Sequence, residues 1–273
     1  MSGRTLLLQA FVALFLTVQV LNGQTDSPVH FFPSHQLLRQ FVGDGMAHRF
    51  GAAKLFGNRQ LRGSTGSVIP VMNTEYLGLP MQASVAASVH AQLDLSQSIS
   101  LMSTEFVVDF FLLDVQPADD TIVRLGISHT SHHLGDNSSS RLQNQIPLDY
   151  SRDYVQLFFV QTMFPVRVYA GTQYAYNFVV NTPIKKPWWL QTGVDGEIAS
   201  FEPGFKLYAG CDVKIRQEMN YATTQRYELG LMWPSNNGRN LRFSLAHQAG
   251  VDERGQFFTE HIQWNSIGVA IEL

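Results

Sequence analysis

The segment Ser128-His129-Thr130-Ser131-His132-His133-Leu134-Gly135-Asp136 is the densest polar cluster of the chain, and it holds three of the nine histidines. In an extended strand, residues two apart share a face, so His129 and Ser131 project together. A serine beside a histidine that can take its proton, with a carboxylate to orient the imidazole, is the arrangement of nucleophilic hydrolysis. Asp153, on the following extended run, supplies a carboxylate at the matching height. Two other readings fit the same residues. His129, His132, His133 and Asp136 are metal-ligand types, but the neighbours His132 and His133 point to opposite faces of a strand and share an ion only in a bent loop. In the third reading Gly135-Asp136 turns the chain, the imidazoles bond to loop carbonyls, and Asn137-Ser138-Ser139-Ser140 is a solvated loop.

The elements that position this cluster alternate with a period of two. At the end of the chain Ile267, Val269, Ile271 and Leu273 share one face, and Ser266, Gly268, Ala270 and Glu272 share the other. The same pattern runs from Gln82 onward, through Val85 to Leu93, Phe106 to Leu112, Val123 to Ile127 and Val155 to Phe159. It returns through Val166 to Phe178, Val194 to Ile198, Phe205 to Ile215, Leu229 to Leu231 and Leu241 to Leu245. This predicts an all-β fold, an antiparallel transmembrane β-barrel over residues 81–273. We expect ten strands, with twelve as the alternative. The oily face meets lipid and the polar face lines the lumen. In that phase Arg124, Arg152, Arg167, Asp195, Glu197, Lys206, Asp212, Lys214, Arg216, Arg226, Glu228 and Arg242 point inward. Their mixed signs imply a salt-bridged interior rather than a selective pore.

An even strand count puts both ends of the barrel on the periplasmic side. The connections His132 to Asp149 and Asn181 to Trp189 then fall outside and are long. Those at Gln161 to Pro165, Glu202 to Gly204 and Pro234 to Arg239 fall inside and are short. Tyr150, Tyr154, Trp188, Trp189, Tyr221 and Phe257 are expected near the outer rim, and Phe164, Phe201, Phe205 and Trp233 near the inner one, as two aromatic girdles. A soluble barrel or sandwich alternates too, with its oily face inward.

Residues 1–23 read as a secretory signal peptide. Arg4 gives the positive start, an apolar core runs to Leu21, and Asn22-Gly23 precedes a cut before Gln24; an uncleaved anchor is the alternative. Residues 24–80, broken by prolines and glycines, read as irregular: a periplasmic lead, a plug, or an extra hairpin around Ser67 to Tyr76. The net charge is −3 with no basic stripe, which disfavours a nucleic-acid partner. Cys211 is alone and can form no intrachain disulfide.

Two resemblances bear on function. The His129-x-Ser131 pair with Asp153 on the next strand resembles outer-membrane phospholipase A and the lipid A deacylase, which carry a His-x-Ser pair on one strand and an orienting polar residue on the next. The Asn-Gly-type continuation of those enzymes is replaced here by His132-His133-Leu134. Separately, Ser131-His132-His133-Leu134-Gly135-Asp136 resembles the Ser-x-His-Leu-Gly-Asp core of the bacterial envelope family named domain of unknown function 1207. So do Tyr208-Ala209-Gly210-Cys211-Asp212, Glu228-Leu229-Gly230 and Gly255-Gln256-Phe257-Phe258. These resemblances imply an outer-membrane barrel. The expected role is structural or binding, in contact with outer-membrane lipid, without metal or cofactor, and with the oligomeric state open. Lipid ester hydrolysis is the first alternative and a narrow channel the second.

Overall fold

The structure, a computed structural model, describes residues 29–96, 99–135, 149–180, 186–202, 204–235 and 239–272. Residues 1–23, expected as a signal peptide, and Asp136 with the serine loop after it lie outside the described residues. In chain order the strands are β1 (His30–Phe31), β2 (Phe50–Leu55), β3 (Gln60–Tyr76), β4 (Leu79–Asp94), β5 (Ser100–Ala118), β6 (Thr121–Leu134) and β7 (Tyr150–Met163). They continue with β8 (Val166–Val180), β9 (Trp188–Phe201), β10 (Phe205–Arg216), β11 (Ala222–Pro234), β12 (Asn240–Val251) and β13 (His261–Glu272). Strands β2 to β13 form a closed antiparallel barrel of twelve. Closure comes from β13 returning to β2, with Ser266 opposite Leu55 and Ile271 opposite Phe50.

Burial decides between membrane and water. Leu125, Leu157, Phe159, Leu229, Phe243 and Leu245 are 46–53% exposed on the outside, whereas Arg152, Arg216 and Arg242 are at most 1% exposed within. A soluble barrel has the opposite arrangement. Lysine at Leu125 is therefore expected to weaken the folded barrel by about 2–4 kcal/mol. Loss of heat-modifiable gel migration in Leu125→Lys, with Leu125→Ile unaffected, is the outcome that checks this.

Twelve strands, the alternative count, arise because residues 50–55 and 60–76 are strand rather than irregular. Arg62 and Ser64 of β3 line the lumen and Val68 is buried, so the outward row is Leu61, Gly63, Thr65, Ser67 and Ile69. Small and hydroxylated residues between the two oily ones erase the alternation. Strand β2 is short and pairs with β3 only over Leu61 to Ser64; β1 pairs with the far end at Met72 and Asn73.

Two bulges shift the expected phase. An irregularity between Asp109 and Phe111 turns Leu112 inward, where it is 0% exposed. Another at Asp153/Tyr154 brings Phe178 inside, its ring 5.4 Å from that of Tyr150. The outer girdle also needs correction. Tyr150, Tyr154, Trp189 and Phe257 are buried inside, the first three because they are in phase with Arg152 and Gln191. Trp188 and Tyr221 remain exposed at the outer end, and Phe164, Phe201 and Trp233 at the inner end.

Residues 36–49 run through the lumen. The amide of Leu37 donates to Gln82 at 2.8 Å and that of Val42 to Asp195 at 3.0 Å. Phe41 stacks on Tyr169 with centroids 3.7 Å apart, in a cluster with Leu38, Phe158 and Val160. Gly43 and Gly210 let this segment touch the wall: a Cβ on Gly43 would lie 2.9 Å from the carbonyl carbon of Cys211, and one on Gly210 would lie 3.0 Å from the nitrogen of Gly43.

Candidate functional site

Strand β6 places His129, Ser131 and His133 on the outer wall and Ser128, Thr130 and His132 in the lumen. On β7, Ser151 lies opposite Ser131 and Asp153 opposite His129. On β8, Asn177 lies opposite Asp153. The outward-facing polar groups of three strands thus form one patch at the outer end of the wall. His129 Nδ1 and Asp153 Oδ1 are 2.6 Å apart, with both side chains a little under a third exposed. Asn177 Nδ2 donates to the other oxygen, Asp153 Oδ2, at 2.8 Å. With the carboxylate accepting from Nδ1, Nε2 is the ring nitrogen that remains to act as a base. Ser131 shares the face but is not hydrogen-bonded to His129. The rings of Phe110 and Phe106 lie 6.4 Å from His129 and 5.4 Å from His133. Toward mid-wall the patch gives onto an apolar crevice of about 380 Å³ lined by Leu125, Ile127, Val155, Leu157, Tyr174 and Trp188.

The wall divides the expected metal set. His129 and His133 are outside, His132 is inside, and Asp136 lies outside the described residues. Among the described residues no three ligand-type side chains converge.

All but one of the inward charges expected from the sequence are held by charged or polar partners. Arg124 bonds Asp114 at 2.6 and 2.8 Å, and Arg167 bonds Asp195 at 2.9 and 2.6 Å. Lys214 bridges Asp44 at 2.7 Å and Glu253 at 2.8 Å, tying lumen segment, wall and the β12–β13 connection together. Asp212 accepts from Tyr169 and Gln191, each at 2.7 Å. Arg216 is held by Glu218, Nε to Oε1 at 3.0 Å, and Arg226 pairs with Glu228 at 2.7 Å. Arg242 lies 3.1 Å from Glu272, and Lys206 and Glu197 meet at 2.6 Å near the inner rim. Arg152 is the exception: its guanidinium lies 3.9 Å from the Trp189 ring centroid, in cation–π contact, with no carboxylate partner among the described residues.

A family model described as "Protein of unknown function (DUF1207)" matches residues 22–272. The chain belongs to this family. In the DUF1207 barrel the inward-facing residues of these motifs meet inside the wall. Tyr208 donates to Glu228 at 2.8 Å, with Gly230 opposite Tyr208. His132, from the first motif, bonds Glu105, which also accepts the amide of Gly255 at 3.1 Å. The Phe257 ring stands edge-on to His132 at 5.3 Å. These contacts dock residues 252–260 into the outer mouth of the barrel. Glu105 was missed in the sequence because its partners come from two distant motifs.

Among solved structures the barrel is similar to outer membrane phospholipase A from Escherichia coli: 11% identity, 82% of this chain, 91% of that chain and a TM-score of 0.53. An active-site mutant of the same enzyme is 13% identical, with 91% and 93% coverage and a TM-score of 0.54. The Salmonella typhi outer membrane phospholipase dimer with bound calcium is 11% identical, with 87% and 94% coverage and a TM-score of 0.54. No curated protein matches the chain. At these identities the likeness is one of fold, and the DUF1207 barrel has the fold of outer-membrane β-barrels.

The mouth segment carries an acid-sensitive contact. Burial raises the Asp252 carboxyl, but the Arg254 guanidinium, 2.9 Å away at Nε, outweighs it and holds the carboxyl down to about 2. A depressed carboxylate stabilises the fold above its unfolded value, about 3.9, and loses that effect as the pH falls toward the folded one. The melting temperature of the wild type should exceed that of Asp252→Asn by a constant margin above pH 5. That margin should shrink between pH 4 and pH 2. A margin that does not change with pH contradicts the assignment.

Proposed function

We propose that the DUF1207 barrel hydrolyses acyl esters of lipids in the outer leaflet. The observation that carries this reading is the 2.6 Å His129–Asp153 contact on the lipid-facing wall, with Ser131 on the same face and one ring nitrogen free to serve it. Ser131 Oγ attacks the ester carbonyl while His129 Nε2 takes its proton. The imidazolium, stabilised by Asp153, then protonates the departing alkoxide. Water attacks the acyl-serine by the reverse proton path and releases fatty acid. Ser151, directly across from Ser131, and His133, on the same face, are the candidate oxyanion donors. The apolar crevice beside the patch suits the acyl chain. A missing Ser131–His129 hydrogen bond is compatible with a free enzyme, in which such bonds often close only on substrate.

A second reading, a binding or structural barrel of the envelope, is favoured by the filled lumen. The same filling argues against a channel: lumen cavities bounded by Arg62 and Trp264 and by Phe41 and Arg124 are only about 80 and 90 Å³. The two readings separate in one assay. Detergent-solubilised protein incubated with phospholipid or with lipid A releases free fatty acid if the hydrolase reading is right, and Ser131→Ala abolishes the release. Equal release by wild type and Ser131→Ala, or none from either lipid, favours the structural barrel.

A further inference from the structure

In the outer half of the lumen, away from the lipid-facing patch, a cavity of about 80 Å³ is bounded by β3, β11, β13 and the mouth segment. That space is enough for several waters or one small anion. Its lining includes Arg62, Arg226, Arg254, Trp264 and Gln248. Four donors on these residues have no hydrogen-bond partner: Arg62 Nε, Arg226 Nε, Arg254 Nη1 and Trp264 Nε1. Arg226, Arg254 and Trp264 are each more than nine-tenths buried. The carboxylates nearby are already engaged. Glu228 accepts from Arg226 Nη2 at 2.7 Å and from Tyr208 at 2.8 Å. Glu253 accepts from Lys214 at 2.8 Å and from Gln248 at 3.1 Å. Arg62 has no ion-pair partner among the described residues, and its guanidinium lies 4.5 Å from the Trp264 ring centroid. A buried donor left without an acceptor is costly, and a buried cation more so. Four such donors around one space, against a single unpartnered acceptor among the described residues, Gln248 Oε1, describe a receptor for negative charge.

We propose that this cavity binds one small tetrahedral oxyanion of the phosphate or sulfate class. Arg62 supplies the uncompensated charge; Arg254 Nη1, whose neighbouring nitrogens are held by Asp252, Arg226 Nε and the indole N–H of Trp264 supply directed hydrogen bonds, and the anion ties β3, β11 and β13 to the mouth segment. The occupant is a free oxyanion, because the cavity lies inside the barrel beneath residues 252–260 rather than on its lipid face. The site is independent of the hydrolase reading, and its test has no catalytic readout.

The test is equilibrium dialysis of the detergent-solubilised full chain against radiolabelled inorganic phosphate at constant ionic strength. The expected result is one saturable site per chain, displaced by sulfate and not by chloride. Removing one charge-assisted donor should weaken binding about tenfold or more, in Arg62→Gln and separately in Trp264→Phe. Arg239→Gln, at an exposed turn, should bind like the wild type. Heat-modifiable migration reports whether each variant is folded, and a misfolded Arg62→Gln leaves Trp264→Phe to decide. Absence of saturable uptake by the wild type, or wild-type affinity in the folded variants, overturns the proposal. Competition by a glycerophosphodiester as strong as that by phosphate assigns the site to a lipid headgroup and overturns the free-anion assignment.

Discussion

Replacing Asp114 by alanine is expected to destabilise the barrel by about 3–5 kcal/mol, the usual cost of stranding one member of a buried ion pair. Asp114 and Arg124 face each other across β5 and β6, with side chains 1% and 8% exposed. Both carboxylate oxygens are used, at 2.6 and 2.8 Å. Without Asp114, the remaining acceptor for Arg124 is the carbonyl of Leu38 at 3.4 Å. The other carboxylate beside Arg124, Asp109, is already held by His48 and Ser128. The double variant Asp114→Leu with Arg124→Leu should recover most of the loss, since a buried pair exchanged for apolar groups is often close to neutral. Urea unfolding of the refolded protein in micelles measures both. A single-variant loss under about 1 kcal/mol means that water reaches Arg124 and the lumen is wetter than its packing implies.

The second large effect concerns catalysis. Ser131→Ala and His129→Ala should each lower kcat by about a thousandfold or more. Nucleophile and base act as a unit, so the double variant should be little worse than either single one. Asp153→Ala should be milder, by about a hundredfold relative to Ser131→Ala, because it orients the ring and stabilises its charge without reacting. Asn177→Ala, which frees one Asp153 oxygen, should be milder still. Three equal and additive losses would mean that these residues support the fold of the wall rather than a reaction. The unheated gel shift should be retained by every variant, since all four side chains lie on the outer face.

Much of the wall was legible in the residues themselves. Strands with a clean oily row, such as Leu125 and Ile127 of β6 or Val155, Leu157 and Phe159 of β7, announce both element and facing. That phase carried His129, Ser131 and Asp153 to the same side, where the structure has them. The failures have local causes. Strand β3 presents Gly63, Thr65 and Ser67 to the outside, so its period of two is invisible to hydropathy. Bulges are single-residue events with no composition of their own, and each reverses everything beyond it, as for Leu112 and Phe178. Tyr150, Tyr154 and Trp189 look like girdle residues by type, yet they pack inside: Tyr154 and Trp189 face arginine cations, and the Tyr150 hydroxyl donates to Glu218. The docking of residues 252–260 was beyond reach, because Glu105 and Gly255 are 150 residues apart.

The most direct test of a lipid-facing hydrolase is covalent trapping of its nucleophile. A long-chain alkyl fluorophosphonate, presented to the protein in lipid vesicles, reacts with a serine only where a base activates it. We expect one adduct per chain by intact mass, located by peptide mapping at Ser131, absent in Ser131→Ala and strongly reduced in His129→Ala. A protein that stays unmodified while a known serine hydrolase in the same vesicles is labelled to completion, or an adduct that maps elsewhere, contradicts the account.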